Sequence, residues 1–226
     1  MKEMRHILLI DDDAVDRGTI RRALVRDGWT VDFEEAEGIR QAWEKIGIRN
    51  WDCVFLDYRL PGGDGLELLK LFREKGFHMP VVVVTSQGDE KVAVDVMRAG
   101  GSDYISKDLL LSSDAVGTVL RNALRMHETE EERKKTAKAL AESEARLAEA
   151  QRIANIGSWE WDAVNAQEYW TEQVFHIFGH KDAANRFMPP QSFGKYLFPA
   201  CLELFMSAFD RCLIDKQSFK VDLRIV

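Results

Sequence analysis

The chain has 226 residues, room for one or two domains at roughly 150 residues each. Hydrophobic residues make up 46%, enough for a buried core. Lys and Arg number 31 against 38 Asp and Glu, a net charge of −7 that argues against a nucleic-acid or anionic-membrane binder, since both need a basic face.

Up to about residue 124, strand-like and helix-like stretches alternate. Ile7–Ile10 is an apolar run too short for a helix, stopped by Asp11-Asp12-Asp13. Residues 14–27 read as a helix with Ile20, Ala23 and Leu24 on one face and Gly28 as its stop. Thr30–Phe33 is a weaker strand, and 37–46 a second helix. Cys53–Leu56 is a further apolar run ended by Asp57, and Leu66–Phe72 is helical. Val81–Val84, four β-branched residues after Pro80, is the strongest strand signal. A helix from about Glu90 to Ala99 ends at Gly100-Gly101, and Asp103–Ser106 makes a fifth strand. Apolar strands alternating with helices predict an α/β fold whose parallel sheet is covered on both faces. Chemistry in such sheets sits at the C-terminal strand ends.

Residues 112–154 contain no Pro and read as one long helix. Steps of three and four from Val116 pass through Val119, Ala123, Met126, Glu130, Arg133, Ala137, Leu140, Glu144, Leu147, Gln151 and Ala154. Eight of these twelve positions are apolar, a seam suited to a parallel homodimer, with polar Glu130 and Arg133 in its middle. Glu130–Lys134, Glu131–Lys135 and Glu142–Arg146 are spaced for i,i+4 ion pairs. From about 151 aromatic residues become dense. Gly157, Trp159, Trp161 and Asn165-Ala166 predict a strand, a turn and a second strand through Trp170. Short helices around Val174–Phe178 and Ala200–Leu213 and a strand over Ser218–Val226 follow.

Asp11, Asp12, Asp57, Thr85 and Lys107 all fall at strand ends and converge on one rim if the first strand is central. Two or three carboxylates make a hard oxygen site suited to Mg²⁺, and a Lys and a hydroxyl supply donors for an oxyanion. Together they suit phosphoryl transfer, with a carboxylate as nucleophile.

Ile7–Asp12, Asp57–Gly65, Val84-Thr85 and Tyr104–Lys107 resemble a response-regulator receiver domain, which implies a flavodoxin-like, five-stranded, doubly wound fold over residues 1–124. The resemblance implies that Asp57 accepts a phosphoryl group from a histidine kinase or phosphotransfer protein. It implies Mg²⁺ held by Asp11, Asp12, Asp57 and the Arg59 carbonyl, phosphoryl oxygens held by Thr85 and Lys107, and a Thr85/Tyr104 switch. Arg59 and Gln87 occupy positions that tune hydrolysis in that family. The family often has Pro after the Lys, in a cis peptide; Asp108 stands there in this chain, which predicts a trans bond.

Leu8–Val15 also resembles the first motif of haloacid-dehalogenase-type phosphatases, with Asp11 as nucleophile and Asp13 as acid, a reading that leaves Asp57 unexplained. His127 reads as a solvated helix residue, His176 and His180 as surface, and Cys53 as core. Cys53, Cys201 and Cys212 form no Cys-x-x-Cys, which predicts free thiols in a reducing compartment. With no signal peptide and no membrane-spanning run, the expectation is a cytoplasmic protein.

Ala150–Asp162, Tyr169–Thr171, Val174–Gly179, Leu197–Pro199 and Phe219–Val226 resemble a PAS sensor domain over 151–226. The usual acidic pair after the Pro is replaced by Ala200-Cys201. The last two strands of that five-stranded α+β fold are absent, leaving an edge to be filled by a partner chain or by disorder. No PAS ligand is readable. The sum is a receiver, a dimeric signalling helix over 112–154 and a partial sensor, with no enzyme activity of its own beyond self-phosphorylation and self-dephosphorylation. The alternatives are the regulatory front of a hybrid histidine kinase or cyclic-dinucleotide cyclase, and a phosphorylation-independent dimer scaffold.

Overall fold

The computed structural model describes residues 4–86, 90–112, 114–162, 165, 167–179, 187–188 and 192–215. The chain falls into two compact units, residues 1–136 and 137–226. No helix among the described residues is long and apolar enough to cross a membrane.

The first unit runs β1 (Arg5–Ile10), α1 (Ala14–Arg26), β2 (Val31–Ala36), α2 (Ile39–Ile46) and β3 (Cys53–Asp57). It continues with the short strands β4 (Arg59–Leu60) and β5 (Gly63–Asp64), then α3 (Gly65–Glu74), β6 (Val81–Thr85), α4 (Glu90–Arg98) and β7 (Asp103–Ser106). A 3₁₀ stretch, Lys107–Leu111, leads into α5 (Ala115–Ala154). The five main strands form one parallel sheet in the order β2-β1-β3-β6-β7.

Each strand's period-2 alternation divides the core between the two faces. Leu8, Ile10, Val54, Leu56, Val81 and Val83 pack with residues of α2, α3 and α4 on one side. Ile7, Leu9, Cys53, Phe55, Val82 and Val84 pack with α1 and the first turns of α5 on the other. The chain leaves β1 in one direction to form β2 and returns past it to form β3, so the order reverses at β1. Open α/β sheets place their sites at such a reversal, beyond the carboxyl ends of the strands, which are those of β1 and β3 in this chain.

The sheet matches the expected five-stranded doubly wound fold, with three local differences. β2 extends to Ala36, because its inner edge completes a six-residue ladder with β1. Residues 59–64, where no strand is expected, close a small antiparallel hairpin in which Arg59 pairs with Asp64. The long helix begins at Ala115 rather than 112, after the 3₁₀ stretch. No cis peptide occurs among the described residues, in keeping with the trans bond expected at Lys107–Asp108.

Along α5, Val116, Leu120, Ala123 and Leu124 are buried against the sheet. Beyond them the seam residues Met126, Leu140 and Leu147 are 56%, 59% and 60% exposed. Two of the three expected i,i+4 ion pairs are replaced by i,i+3 pairs. Arg133 makes a two-pronged contact with Glu130 at 2.9 and 3.0 Å, and Lys134 meets Glu131 at 3.0 Å. Residues three apart are also neighbours on a helix, and the planar guanidinium fork matches a carboxylate at that spacing. Arg146–Glu142 keeps the i,i+4 arrangement at 3.7 Å.

The second unit opens with the last turns of α5. The expected strand-turn-strand follows as β8 (Trp159–Asp162) and β9 (Gln167–Trp170), antiparallel, with Trp159 opposite Trp170. A two-residue strand, β10 (Phe187–Met188), pairs with the other side of β9. The helices α6 (Glu172–Ile177) and α7 (Pro199–Asp215) lie close to their expected spans. Trp170 is fully buried with Val174 and Phe175, and Trp159 packs against Phe205 at 5.9 Å between ring centres. The strand expected over Ser218–Val226 and the expected surface residue His180 lie outside the described residues.

Candidate functional site

The carboxyl end of β1 carries the first acids. The Asp11 amide continues the ladder to the Ala36 carbonyl at 3.0 Å, and its Oδ1 accepts from the Asp13 amide at 2.8 Å. Asp13 caps α1, accepting from the Val15 amide at 2.7 Å, as Asp does at helix starts. Asp12, between them, is exposed.

Asp57 is the last residue of β3 and is buried. The Tyr58 amide donates to the Val84 carbonyl at 2.8 Å, and the Gly65 amide to the Tyr58 carbonyl at 2.9 Å, which folds the chain back beneath Asp57. The Arg59 amide lies near enough to the Asp57 carboxylate to favour its charged form.

Carboxylate oxygens of Asp11, Asp12 and Asp57 lie within 4.8 Å of one another. Lys107, the first residue after β7, reaches into this cluster. Its Nζ stands 3.2 Å from Asp11 Oδ2 and 3.3 Å from Asp57 Oδ2. Thr85 is buried at the end of β6, one residue beyond Val84, the strand partner of Asp57, and opposite Ser106. Tyr104 is half-buried on β7 opposite Val83, against the core of the α3–α4 side. The structure thus brings Asp11, Asp12, Asp57 and Lys107 together, with Thr85 on the same rim and Tyr104 lower on the adjoining strand. Gln87 lies outside the described residues.

The charges are unbalanced. Burial pushes the Asp11 carboxyl up to about 6, the Asp57 charge adds to the rise, and the Asp13 amide and Lys107 oppose it. Burial also raises Asp57, against the pull of Lys107 and the Arg59 amide. Burial alone would depress the Lys107 ammonium, but its close ion pair with Asp16 and the charges of Asp11 and Asp57 hold it above its ordinary value. Three clustered carboxylates facing one ammonium are an oxygen-only donor set with charge to spare, which fits a hard divalent cation such as Mg²⁺. Asp11, Asp12 and Asp57 are the side chains placed to hold it. Asp57 is central to the cluster, which the phosphatase-like reading left unexplained.

Two neighbouring residues were missed by sequence reasoning. Asp16, in the first turn of α1, makes the shortest contact to Lys107, 2.7 Å from Oδ2 to Nζ. Arg17 is buried, donating to the Asp11 carbonyl at 2.6 Å and to Glu35 at 2.8 Å. Both sit where periodicity marks a solvated helix face; only the fold shows that this turn borders the site.

The remaining candidates lie elsewhere. His127 is half-buried on α5, and His176 is exposed, 3.8 Å from Glu172. Cys53 is buried, its thiol pushed far up by burial, and none of the three Cys residues is in a disulfide.

The sequence profile of the response regulator receiver domain matches residues 7–113. The transcriptional regulatory protein FixJ of Bradyrhizobium diazoefficiens is 30% identical over 148 residues, covering 65% of this chain and 70% of that protein. The C4-dicarboxylate transport transcriptional regulatory protein DctD of Pseudomonas aeruginosa is 36% identical over 137 residues, 60% of this chain but 29% of that protein. Among solved structures, NtrX of Brucella abortus superposes with a TM-score of 0.53 at 28% identity, over 59% of this chain and 30% of that one. Sheet order, acidic cluster and these likenesses agree: through residues 7–113, the chain belongs to the response regulator receiver domain family.

Proposed function

We propose that Asp57 is the phosphoacceptor of a phosphorelay, taking its phosphoryl group from the phosphohistidine of a histidine kinase or phosphotransfer protein in the cytoplasm. The observation that carries this reading is the meeting of Asp57 with Asp11, Asp12 and Lys107 at one rim of the sheet. An Asp57 oxygen attacks phosphorus in line as the P–N bond breaks, and the imidazole nitrogen keeps the bonding electron pair. Lys107 and the Thr85 hydroxyl donate to the phosphoryl oxygens, where charge is greatest. Mg²⁺, held by Asp11, Asp12, Asp57 and the Arg59 carbonyl, supplies charge neutralisation when bound.

Movement of Thr85 towards the phosphoryl group frees space for Tyr104 to turn inward, which changes the face formed by α4, β7 and α5. The exposed seam through Met126, Leu140 and Leu147 supports a homodimer through residues 112–154. In this reading the receiver is residues 1–124, and the helix leads to a PAS-like region over 151–226 whose ligand is open. The three-stranded antiparallel sheet with its aromatic core supports that assignment.

The test is intact mass after incubation with acetyl phosphate and Mg²⁺. One phosphoryl adduct is expected, lost in Asp57→Asn and lost with a chelator. An adduct that survives in Asp57→Asn rules the assignment out.

A further inference from the structure

We propose that Asp16 is a positioning residue for phosphoryl transfer, holding the Lys107 ammonium in place while the groups around it change. The proposal rests on the phosphoacceptor reading and deepens it, since that reading gives Asp16 no role.

An ammonium has three N–H donors. Around the Lys107 ammonium stand Asp16 at 2.7 Å, Asp11 at 3.2 Å and Asp57 at 3.3 Å, with the Asp11 oxygen accepting a hydrogen bond. Two of these partners change during the reaction. Asp57 passes from carboxylate to acyl phosphate: its Oδ–P bond forms, the donor's bond to phosphorus breaks, and the negative charge moves onto the phosphoryl oxygens. Asp11 belongs to the carboxylate group that a cation recruits. Asp16 stands outside that group, and neither its charge nor its bonding changes.

The frame that carries Asp16 is also fixed. It lies in the first turn of α1, started by the Asp13 cap and tied to the end of β1 by the buried Arg17, whose guanidinium donates to the Asp11 carbonyl at 2.6 Å. Lys107 has the opposite character, a point charge on a flexible four-carbon stem. Left to Asp11 and Asp57 alone, it would lose a partner each time either turned to metal or phosphorus. Anchored by Asp16, Nζ stays beside Asp57 and passes one N–H from a carboxylate oxygen to a phosphoryl oxygen.

The full chain is compared with Asp16→Ala, Asp16→Asn, Asp16→Glu, Lys107→Ala and the Asp16→Ala/Lys107→Ala double variant. Phosphorylation by acetyl phosphate is followed by intact mass at saturating Mg²⁺, beryllofluoride affinity by fluorine NMR, and Mg²⁺ affinity by calorimetry. Asp16→Ala and Asp16→Asn are expected to lower the limiting rate by about tenfold, with KM for acetyl phosphate and Mg²⁺ affinity nearly unchanged. Asp16→Glu should recover part of the rate. In the Lys107→Ala background, Asp16→Ala should weaken beryllofluoride no further, because its effect runs through the missing ammonium. Wild-type rates in the Ala and Asn variants overturn the proposal, as does a loss that extra Mg²⁺ restores or one that persists undiminished without Lys107. No adduct on the wild-type chain overturns the phosphoacceptor reading and this proposal together; an adduct there with unaffected Asp16 variants overturns this proposal alone.

Discussion

Gly65 opens α3 directly beneath Asp57, so close that a Cβ there would fall on the Asp57 carbonyl oxygen. The Tyr58 carbonyl, which accepts from the Gly65 amide at 2.9 Å, crowds the same point. Both obstacles are backbone, so no rotamer change relieves them. Gly65→Ala should therefore cost about 1–3 kcal/mol in urea unfolding, the usual range for overpacking. The strain falls on the chain between Asp57 and α3, so acyl phosphate formation should drop as well. A variant as stable and as readily phosphorylated as the parent would show that this turn yields more easily than its geometry implies.

The raised Asp11 carboxyl has a consequence for pH. Its value of about 6 in the fold exceeds the ordinary 3.8, so between those values the folded chain holds the proton more firmly than the unfolded one. Stability from this group is therefore greatest below pH 4, declines as pH rises to about 6, and stays low above it. Without Mg²⁺, Asp11→Asn should melt at a higher temperature than the wild type at neutral pH, with the difference shrinking towards pH 4. Bound cation requires the carboxylate, so Mg²⁺ affinity should weaken several-fold from about pH 7.5 to about pH 5.5. Calorimetry giving equal affinities at both would refute this account of the pocket.

Gly117 fills a comparable role where α5 meets α1. A Cβ at Gly117 would overlap Oδ2 of Asp27, the residue that caps α1, and that oxygen has no hydrogen-bond partner among the described residues. Ala is about 1 kcal/mol better than Gly inside a helix. At this position the overlap should reverse the sign, so that Gly117→Ala destabilises the first unit by about 1–2 kcal/mol. Adding Asp27→Ala should recover most of that loss, a coupling that urea unfolding of both single variants and the double variant will read. Stabilisation by Gly117→Ala alone would mean that Asp27 moves aside freely.

Much of the first unit was legible because its strands are buried on both faces and so read as unbroken apolar runs, as Val81–Val84 does. The acids and the Lys were legible for the complementary reason: each interrupts or follows such a run, and the α/β topology gathers strand ends. β2 was read short because Asp32, Glu34 and Glu35 dilute its apolar signal, while its ladder to β1 is a tertiary fact. Asp16 and Arg17 were illegible for the same reason. Their neighbours in sequence mark a helix face, whereas Lys107, Asp11 and Glu35, the groups that give them meaning, arrive from β7, β1 and β2. The ion pairs along α5 went partly wrong because sequence spacing allows two partners and only the side-chain rotamers select one.

The acids that obscured β2 also govern what the sheet does in a concentrated solution. Among the described residues β2 is a margin, paired to β1 alone, and its other side is a ready template for another strand. A second copy docking there edge to edge would have to bury or break the ion pairs that Asp32, Glu34 and Glu35 make with Arg49, Lys45 and Arg17, which leaves charge without its partner. The hydrogen bond from Arg49 holds Asp32 ionised below the usual carboxylate range, and Lys45 does the same for Glu34. The paired charges therefore outlast mild acidification, and a charged edge of this kind disfavours strand-to-strand docking under conditions that would neutralise an unassisted carboxylate.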